Sequence, residues 1–229
     1  MQPKYIYFDL DDTLLDHQHA EREALKELYE HVDLFKEIDP DALIDTYHEI
    51  NRNLWTQYAA GEIGREQLQQ RRFSYTFEEL DLPEEEAEKT GTVYLQCYRN
   101  HWHWIQGARE ALDRIVHRFP IGILTNGFSD TQKKKVSDFG LERYARHIVI
   151  TEEIGKLKPH PEVFEYATGL TNLSPGEILY VGDSYTSDIA GGTRFGWKTA
   201  WFTDNGNIEQ HQQADFVFDD FEDLTDYLN

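Results

Sequence analysis

The residues best suited to chemistry stand near the amino terminus. Lys4–Tyr5–Ile6–Tyr7–Phe8 reads as a strand and runs straight into Asp9–Leu10–Asp11–Asp12–Thr13. If the chain stays extended there, alternate side chains share one direction, so Asp9, Asp11 and Thr13 point together from a strand end. Two carboxylates a few ångströms apart repel each other. Such a pair calls for a hard divalent cation, a shared proton, or both.

Three later segments have the same form, an apolar run followed by polar groups. Thr125–Asn126–Gly127–Phe128–Ser129 offers a hydroxyl, backbone N–H groups freed by Gly127, and a helix start, which together would cradle a phosphate. Its bland reading is a strand–turn–helix junction capped by Ser129. In Gly155–Lys156–Leu157–Lys158–Pro159–His160–Pro161, the prolines stiffen the loop and Lys158 or Lys156 could project a fixed positive charge. Gly182–Asp183–Ser184 places a carboxylate after a tight exit, and Asp188 follows about one helical turn later, where it could hold a metal or a metal-bound water. Singly, Lys158 could be a surface lysine and Asp183 a helix cap. Jointly they supply a nucleophilic carboxylate, a hard-metal cage and donors to phosphoryl oxygens, an inventory for phosphoryl transfer.

These groups need a scaffold that brings strand ends together. Near-continuous apolar runs at Tyr5–Phe8, Ile121–Thr125, Ile148–Ile150, Ile178–Val181, Thr199–Phe202 and Phe216–Phe218 suit strands buried on both faces. Helical patterns at Ala108–His117, Ser129–Phe139, Pro161–Leu170 and Thr186–Phe195 alternate with them. The expected fold is α/β, a doubly wound parallel sheet, in which ligands gather beyond the carboxyl ends of the strands. Gly191–Gly192 would weaken its helix, so close packing against the sheet is the expected reason for the pair.

Residues 16–104 break the alternation. Helix-like spacing (Ala24, Leu25, Leu28; Leu43, Ile44, Tyr47, Ile50, Leu54) with breaks at Asp39–Pro40, Gly61–Gly64 and Leu82–Pro83 predicts an all-helical insertion. Residues 1–15 and 105–229 then form the core domain and 16–104 a helical cap subdomain.

The chain has 22 Lys+Arg against 43 Asp+Glu, a formal net charge of −21, which disfavours a nucleic-acid polymer as partner. The dense basic spots Arg71–Arg72 and Lys133–Lys134–Lys135 read as solvated helix faces. One cysteine, Cys97, allows no internal disulfide, no zinc-like pattern occurs, and no apolar run suggests a leader or a membrane span. A cytoplasmic protein acting on a small phosphorylated metabolite is the expectation.

The strings Asp9-Leu-Asp11-Asp-Thr13, Thr125-Asn126-Gly127, Lys158-Pro159 and Gly182-Asp183…Asp188 together resemble the four motifs of the haloacid dehalogenase superfamily, specifically its phosphatases. The helical insertion is similar to that family's first cap type. The resemblance implies that Asp9 attacks phosphorus and forms an aspartyl-phosphate, and that Asp11 serves as acid and then as base. It implies Mg2+ held by Asp9, the Asp11 backbone carbonyl and Asp183, with Asp188 orienting the metal shell. Thr125, Asn126, Gly127 and Lys158 would bind the phosphoryl group. Halide-displacing members lack the second carboxylate and need no metal, so Asp11 and Asp183 favour phosphate chemistry.

A narrower resemblance, carried by Asn53-Leu54-Trp55…Tyr58…Gly61-Glu-Ile63, Arg72-Phe73, Thr125–Phe128 and Thr151–Gly155, is to YjjG-type pyrimidine nucleoside monophosphatases. It implies a 5'-nucleotidase with Trp55, Tyr58 and Arg72 among the substrate-binding residues. Phe73 and the Trp102–His103–Trp104 cluster are further candidates, and each aromatic has the alternative of packing a helix. Rival readings are a phosphatase of another metabolite (an acyl-neuraminate phosphate, phosphoglycolate or a sugar phosphate), a phosphomutase, or a non-catalytic binding protein on the same fold.

Overall fold

In the computed structural model, which describes residues 2–203 and 213–229, the apolar runs become six short strands. They are β1 (Tyr5–Phe8), β2 (Ile121–Thr125), β3 (Ala145–Ile150), β4 (Ile178–Gly182), β5 (Lys198–Phe202) and β6 (Phe216–Phe218). All pair in parallel in the order β3-β2-β1-β4-β5-β6. β1, β2 and β4 are buried throughout, which explains why their sequences lack the polar alternation of a half-exposed strand. Alternation persists in the choice of face. Ile6, Phe8, Ile123, Leu179 and Val181 join one apolar cluster, while Tyr5, Tyr7, Leu124, Ile178 and Tyr180 join the other.

The helices, in chain order, are α1 (His17–His31), α2 (Pro40–Ala59), α3 (Arg65–Glu79), α4 (Ala87–Asn100), α5 (Ala108–Ile115), α6 (Ser129–Asp138), α7 (Thr151–Ile154), α8 (Pro161–Thr171), α9 (Ala190–Phe195) and α10 (Phe221–Tyr227). α5, α6 and α10 cover the first sheet face through Leu112, Val136 and Leu224; α8 covers the second through Val163, Phe164 and Ala167. Helices on both faces make the doubly wound α/β fold. Strand order reverses at β1, where the chain leaves toward β2 and β3 and later returns beside β1 as β4. Strand ends flanking that switch point are where such sheets build their sites.

Two elements differ from the sequence reading. β3 begins at Ala145, three residues before the apolar run, because it is the sheet edge, where Arg146 stays exposed while the backbone pairs with β2. The expected helix from Thr186 is instead one wide π-turn, Tyr185–Ile189, followed by α9. Gly191 and Gly192 do pack closely: a Cβ on Gly191 would lie 2.8 Å from Phe164 Cζ, and one on Gly192 2.9 Å from Thr199 Cγ2.

The chain divides into two compact units, one formed by the residues up to Asp16 with those from Trp104 onward, the other by His17–His103. The second unit is helical. Its core joins Ala24, Leu25, Leu28, Leu43, Tyr47, Phe73, Phe77 and Tyr94 from α1 to α4. Asp39 caps α2 by accepting from Asp41 N–H at 2.9 Å, with Pro40 in the first turn, as the Asp–Pro pair predicts.

Candidate active site

β1 ends at Phe8, and Asp9 continues it by one hydrogen bond, its N–H donating to Val181 carbonyl at 2.8 Å. The chain then coils rather than staying extended. Asp12 has φ 58°, and Leu14 and Leu15 both donate to the Leu10 carbonyl. The three side chains of the motif consequently reach different partners. Asp9 meets Lys158, Asp11 meets α6, and Thr13 Oγ1 donates to Asp183 Oδ1 at 3.1 Å. The expectation that alternation alone aims them together is corrected: a tight loop distributes them over three neighbours.

Lys158 is buried, whereas Lys156 is exposed, so the loop contributes the former. Its Nζ lies 2.8 Å from Asp9 Oδ1, 2.9 Å from Asp188 Oδ1, 2.6 Å from Tyr180 Oη and 3.2 Å from the Leu124 carbonyl. Tyr180 Oη in turn donates to Leu124 carbonyl at 2.7 Å. Burial works against the charged ammonium, but Asp188 and Asp9 outweigh it and hold its pKa above the ordinary lysine value. Asn126 fixes the same lysine by its backbone. Its Oδ1 accepts from Lys158 N–H at 2.9 Å and from Thr151 Oγ1 at 2.9 Å, and its Nδ2 donates to the Lys158 carbonyl at 3.2 Å. That amide, expected to bind substrate, is spent on positioning Lys158.

Asp9, Asp183 and Asp188 offer carboxylate oxygens that all lie within 4.8 Å of one another; the Asp11 carboxylate is not in this group. Ser184 donates its N–H to Asp188 Oδ2 at 3.1 Å, a contact the π-turn permits by bringing Asp188 back over its own start. Burial, with like charge from Asp188 and Asp11, pushes the Asp9 pKa above the usual carboxylate range despite Lys158. Asp183 is pushed up as well, first by burial and then by Asp188, Asp9 and Asp12. Lys158 pairs with Asp9 and Asp188, and Asp183 takes a hydroxyl donor instead. An all-oxygen set of crowded carboxylates, two buried and one partly exposed, fits a hard divalent cation such as Mg2+.

The phosphate cradle expected at 125–129 is partly filled by the chain itself. Ser129 N–H donates to Glu152 Oε2 at 2.6 Å and Ser129 Oγ to Glu153 Oε1 at 2.7 Å, while the first residue before α6 is Phe128, so Ser129 is not its cap. Thr125 is fully buried, its Oγ1 accepting from Gln132 Nε2 at 2.8 Å. Gly127 has φ 138°, a backbone state that L side chains rarely adopt.

Three residues of this site are not singled out by the sequence: Gln132, Lys135 and Tyr180. Lys135 corrects the reading of 133–135 as a wet face. Lys133 and Lys134 are exposed, but Lys135 is buried with its Nζ 2.6 Å from Asp11 Oδ1. The available signal was spacing, since Gln132 and Lys135, three apart, share one helix face with buried Val136.

In the helical unit, Trp55 and Tyr58 are half-buried on α2 in edge-to-face contact, centroids 5.6 Å apart. Arg72 is buried, with Nη1 3.4 Å from Tyr47 Oη and its guanidinium over the Tyr94 ring. It packs the core of this unit rather than standing on a wet face. The aromatic cluster is divided between the units: Trp102 packs on Tyr98, and Trp104 on Phe139.

The family model for haloacid dehalogenase-like hydrolases matches residues 6–202. The chain belongs to this family. It is similar to the HAD-hydrolase YfnB of Bacillus subtilis, 34% identical over 86% of this chain and 82% of that protein. A crystal structure of YfnB described as bound to magnesium matches with a TM-score of 0.82 at 29% identity, covering 100% of both chains. The pyrimidine 5'-nucleotidase PynA of Streptococcus pneumoniae is 30% identical over 99% of this chain and 95% of its own length. The pyrimidine 5'-nucleotidase YjjG of Escherichia coli is 32% identical over 88% and 86%. As a haloacid dehalogenase-like hydrolase the chain is an enzyme, and its acidic cluster lies beside the switch point of the sheet. No helix among the described residues is long and apolar enough to cross a membrane.

Proposed function

We propose that this enzyme hydrolyses phosphomonoesters of small metabolites through an aspartyl-phosphate on Asp9. The observation that carries the reading is the Lys158 ammonium, 2.8 Å from Asp9 Oδ1, with Asp183 and Asp188 beside it. A carboxylate that attacks phosphorus needs its neighbours to neutralise the phosphoryl oxygens, and a fixed ammonium in a buried site does so without reorganisation.

In the first half-reaction an Asp9 oxygen bonds to phosphorus, the ester P–O bond breaks, and Asp11 gives its proton to the departing alkoxide. In the second, Asp11 takes a proton from water, whose oxygen attacks phosphorus and releases phosphate from Asp9. Asp9 and Asp183 would hold magnesium, with Asp188 behind them and the Asp11 backbone carbonyl as a further ligand. The ion, when bound, supplies positive charge to the phosphoryl oxygens. Lys158 and the loop at Thr125–Gly127 receive the same group, and Thr13 and Asn126 keep Asp183 and Lys158 in place.

The substrate class we infer is a nucleoside monophosphate, preferably pyrimidine. Similarity to PynA and YjjG along most of the chain supports it, as do Trp55 and Tyr58, half-buried rings suited to a base or ribose. Residues 16–104 would act as the cap. A competing substrate class comes from glyceraldehyde 3-phosphate phosphatase of Pyrococcus furiosus, 30% identical over 98% of this chain. A panel with purified protein and Mg2+ decides. Uridine and thymidine monophosphates should have the highest kcat/KM, and faster turnover of triose or sugar phosphates would overturn the nucleotide assignment. Accumulation of an isomerised sugar phosphate without free phosphate would instead identify a mutase.

A further inference from the structure

α6 presents two buried polar side chains to the acid/base residue. Lys135 Nζ lies 2.6 Å from Asp11 Oδ1, and Gln132 Nε2 lies 2.9 Å from Asp11 Oδ2. Each is 1% exposed. The two donors take opposite oxygens, so rotation of the carboxylate about its own axis is restrained. The Asp11 side chain nevertheless keeps 24% of its surface open, which leaves it accessible to a reacting partner. We propose that Lys135 and Gln132 are positioning residues that hold the Asp11 carboxylate in line for proton delivery, making α6 part of the catalytic apparatus. This rests on the reading of Asp11 as acid and base given above.

Three observations favour it over ordinary helix packing. Burying an ammonium is costly even when it is paired, and hydrophobic residues of similar volume often do as well, so the buried Lys135–Asp11 pair is poor evidence of a stabilising purpose. Gln132 also gathers the loop after β2. Its Nε2 reaches Thr125 Oγ1 at 2.8 Å and the Asn126 carbonyl at 3.0 Å, so one amide links Asp11 to two further motif residues. Finally, Gly127 makes room for it: a Cβ there would lie 2.9 Å from Gln132 Cδ. The backbone is shaped around the glutamine.

The test uses the leaving group. An alkoxide needs a proton as it departs, whereas a dinitrophenolate does not, so a displaced acid penalises alkyl esters selectively. For Lys135→Met with Mg2+ present, kcat/KM should fall about 100-fold for an alkyl phosphate and less than about 3-fold for a dinitrophenyl phosphate. Lys135→Arg should recover part of the alkyl activity. An equal fall for both esters would reduce Lys135 to a packing role and overturn the proposal. If Lys135→Met does not fold, Gln132→Met, which removes the amide donor to Oδ2 and leaves the Lys135 pair, is judged by the same comparison with a smaller expected split. Asp11→Asn run alongside separates the two levels of inference. Should it show the split while neither α6 variant does, the positioning idea fails and the phosphatase reading stands. A wild-type enzyme inert toward both esters would take both down.

Discussion

The Lys158 ammonium sits 2.8 Å from Asp9 Oδ1 although 149 residues separate them, and 2.9 Å from Asp188 Oδ1. One buried cation thus holds together two carboxylates that would otherwise repel at close range. Lys158→Met keeps the unbranched shape and most of the length of the side chain and removes the charge. It should lower kcat by at least about 100-fold, the scale seen when a fixed electrostatic donor is lost. It should also destabilise the fold by about 3–5 kcal/mol, because two buried carboxylates lose their partner. Steady-state kinetics and urea melts check both, and near-wild-type turnover would refute the assigned role.

Much of this was readable in the sequence, for identifiable reasons. Buried parallel strands print themselves as uninterrupted apolar runs, so five of six strands fall within a residue of their predicted limits. Asp9, Lys158, Asp183 and Asp188 were legible because each follows such a run. What stayed hidden depends on helix faces. Lys135 sits beside two exposed lysines and differs only in pointing inward, which composition does not register. Arg72, next to Arg71, reads as wet for the same reason although it is buried. Asn126 is legible as a motif residue, but the hydrogen bonds from both ends of its amide to the Lys158 backbone are not, because they join positions 32 apart in the chain. The π-turn at Tyr185–Ile189 also escapes the sequence reading, since the apolar spacing there fits an ordinary helix, whereas the wider turn is what brings Asp188 Oδ2 to the Ser184 N–H.

Gly182 closes β4 where Asp188 folds over it. A Cβ there would stand 2.7 Å from both Asp188 Cβ and Cγ, well inside contact distance. Gly182→Ala must therefore push Asp188 away from Lys158 or shift the strand end. A loss of about 1–3 kcal/mol is expected for an overpacked core, with a fall in kcat larger than stability alone explains. A variant with both properties unchanged would show that Asp188 moves freely, contrary to its fully buried position.

The carboxylates of Asp9, Asp183 and Asp188 crowd within 4.8 Å, and Asp183 is held above the ordinary carboxylate range by burial and like charges. A cation bound there favours the folded state. Mg2+ at about 100 times its Kd should stabilise the protein by about 2.7 kcal/mol, and a chelator should abolish turnover reversibly. Asp183→Asn should weaken the Mg2+-induced rise in Tm by raising Kd at least about tenfold. A Tm indifferent to Mg2+ in the unaltered chain would argue against the metal site.

Alkaline stability follows from the tyrosines. Burial pushes the Tyr5 phenol up to about 12, and Tyr7, Tyr47, Tyr94 and Tyr180 are raised further by the same cause. The sign is set by which state keeps its protons. Below the ordinary value of 10.0 both folded and unfolded chains carry neutral phenols, and these groups add no pH dependence. Above it the unfolded chain releases protons that the folded chain retains, so stability falls as pH rises toward the folded values. Tm should therefore decline steadily once pH passes about 10, and the tyrosinate absorbance of the buried set should appear together with loss of helical ellipticity. Ionisation of all thirteen tyrosines in a still-folded protein would contradict the burial on which both the sheet core and the Lys158–Tyr180 contact depend.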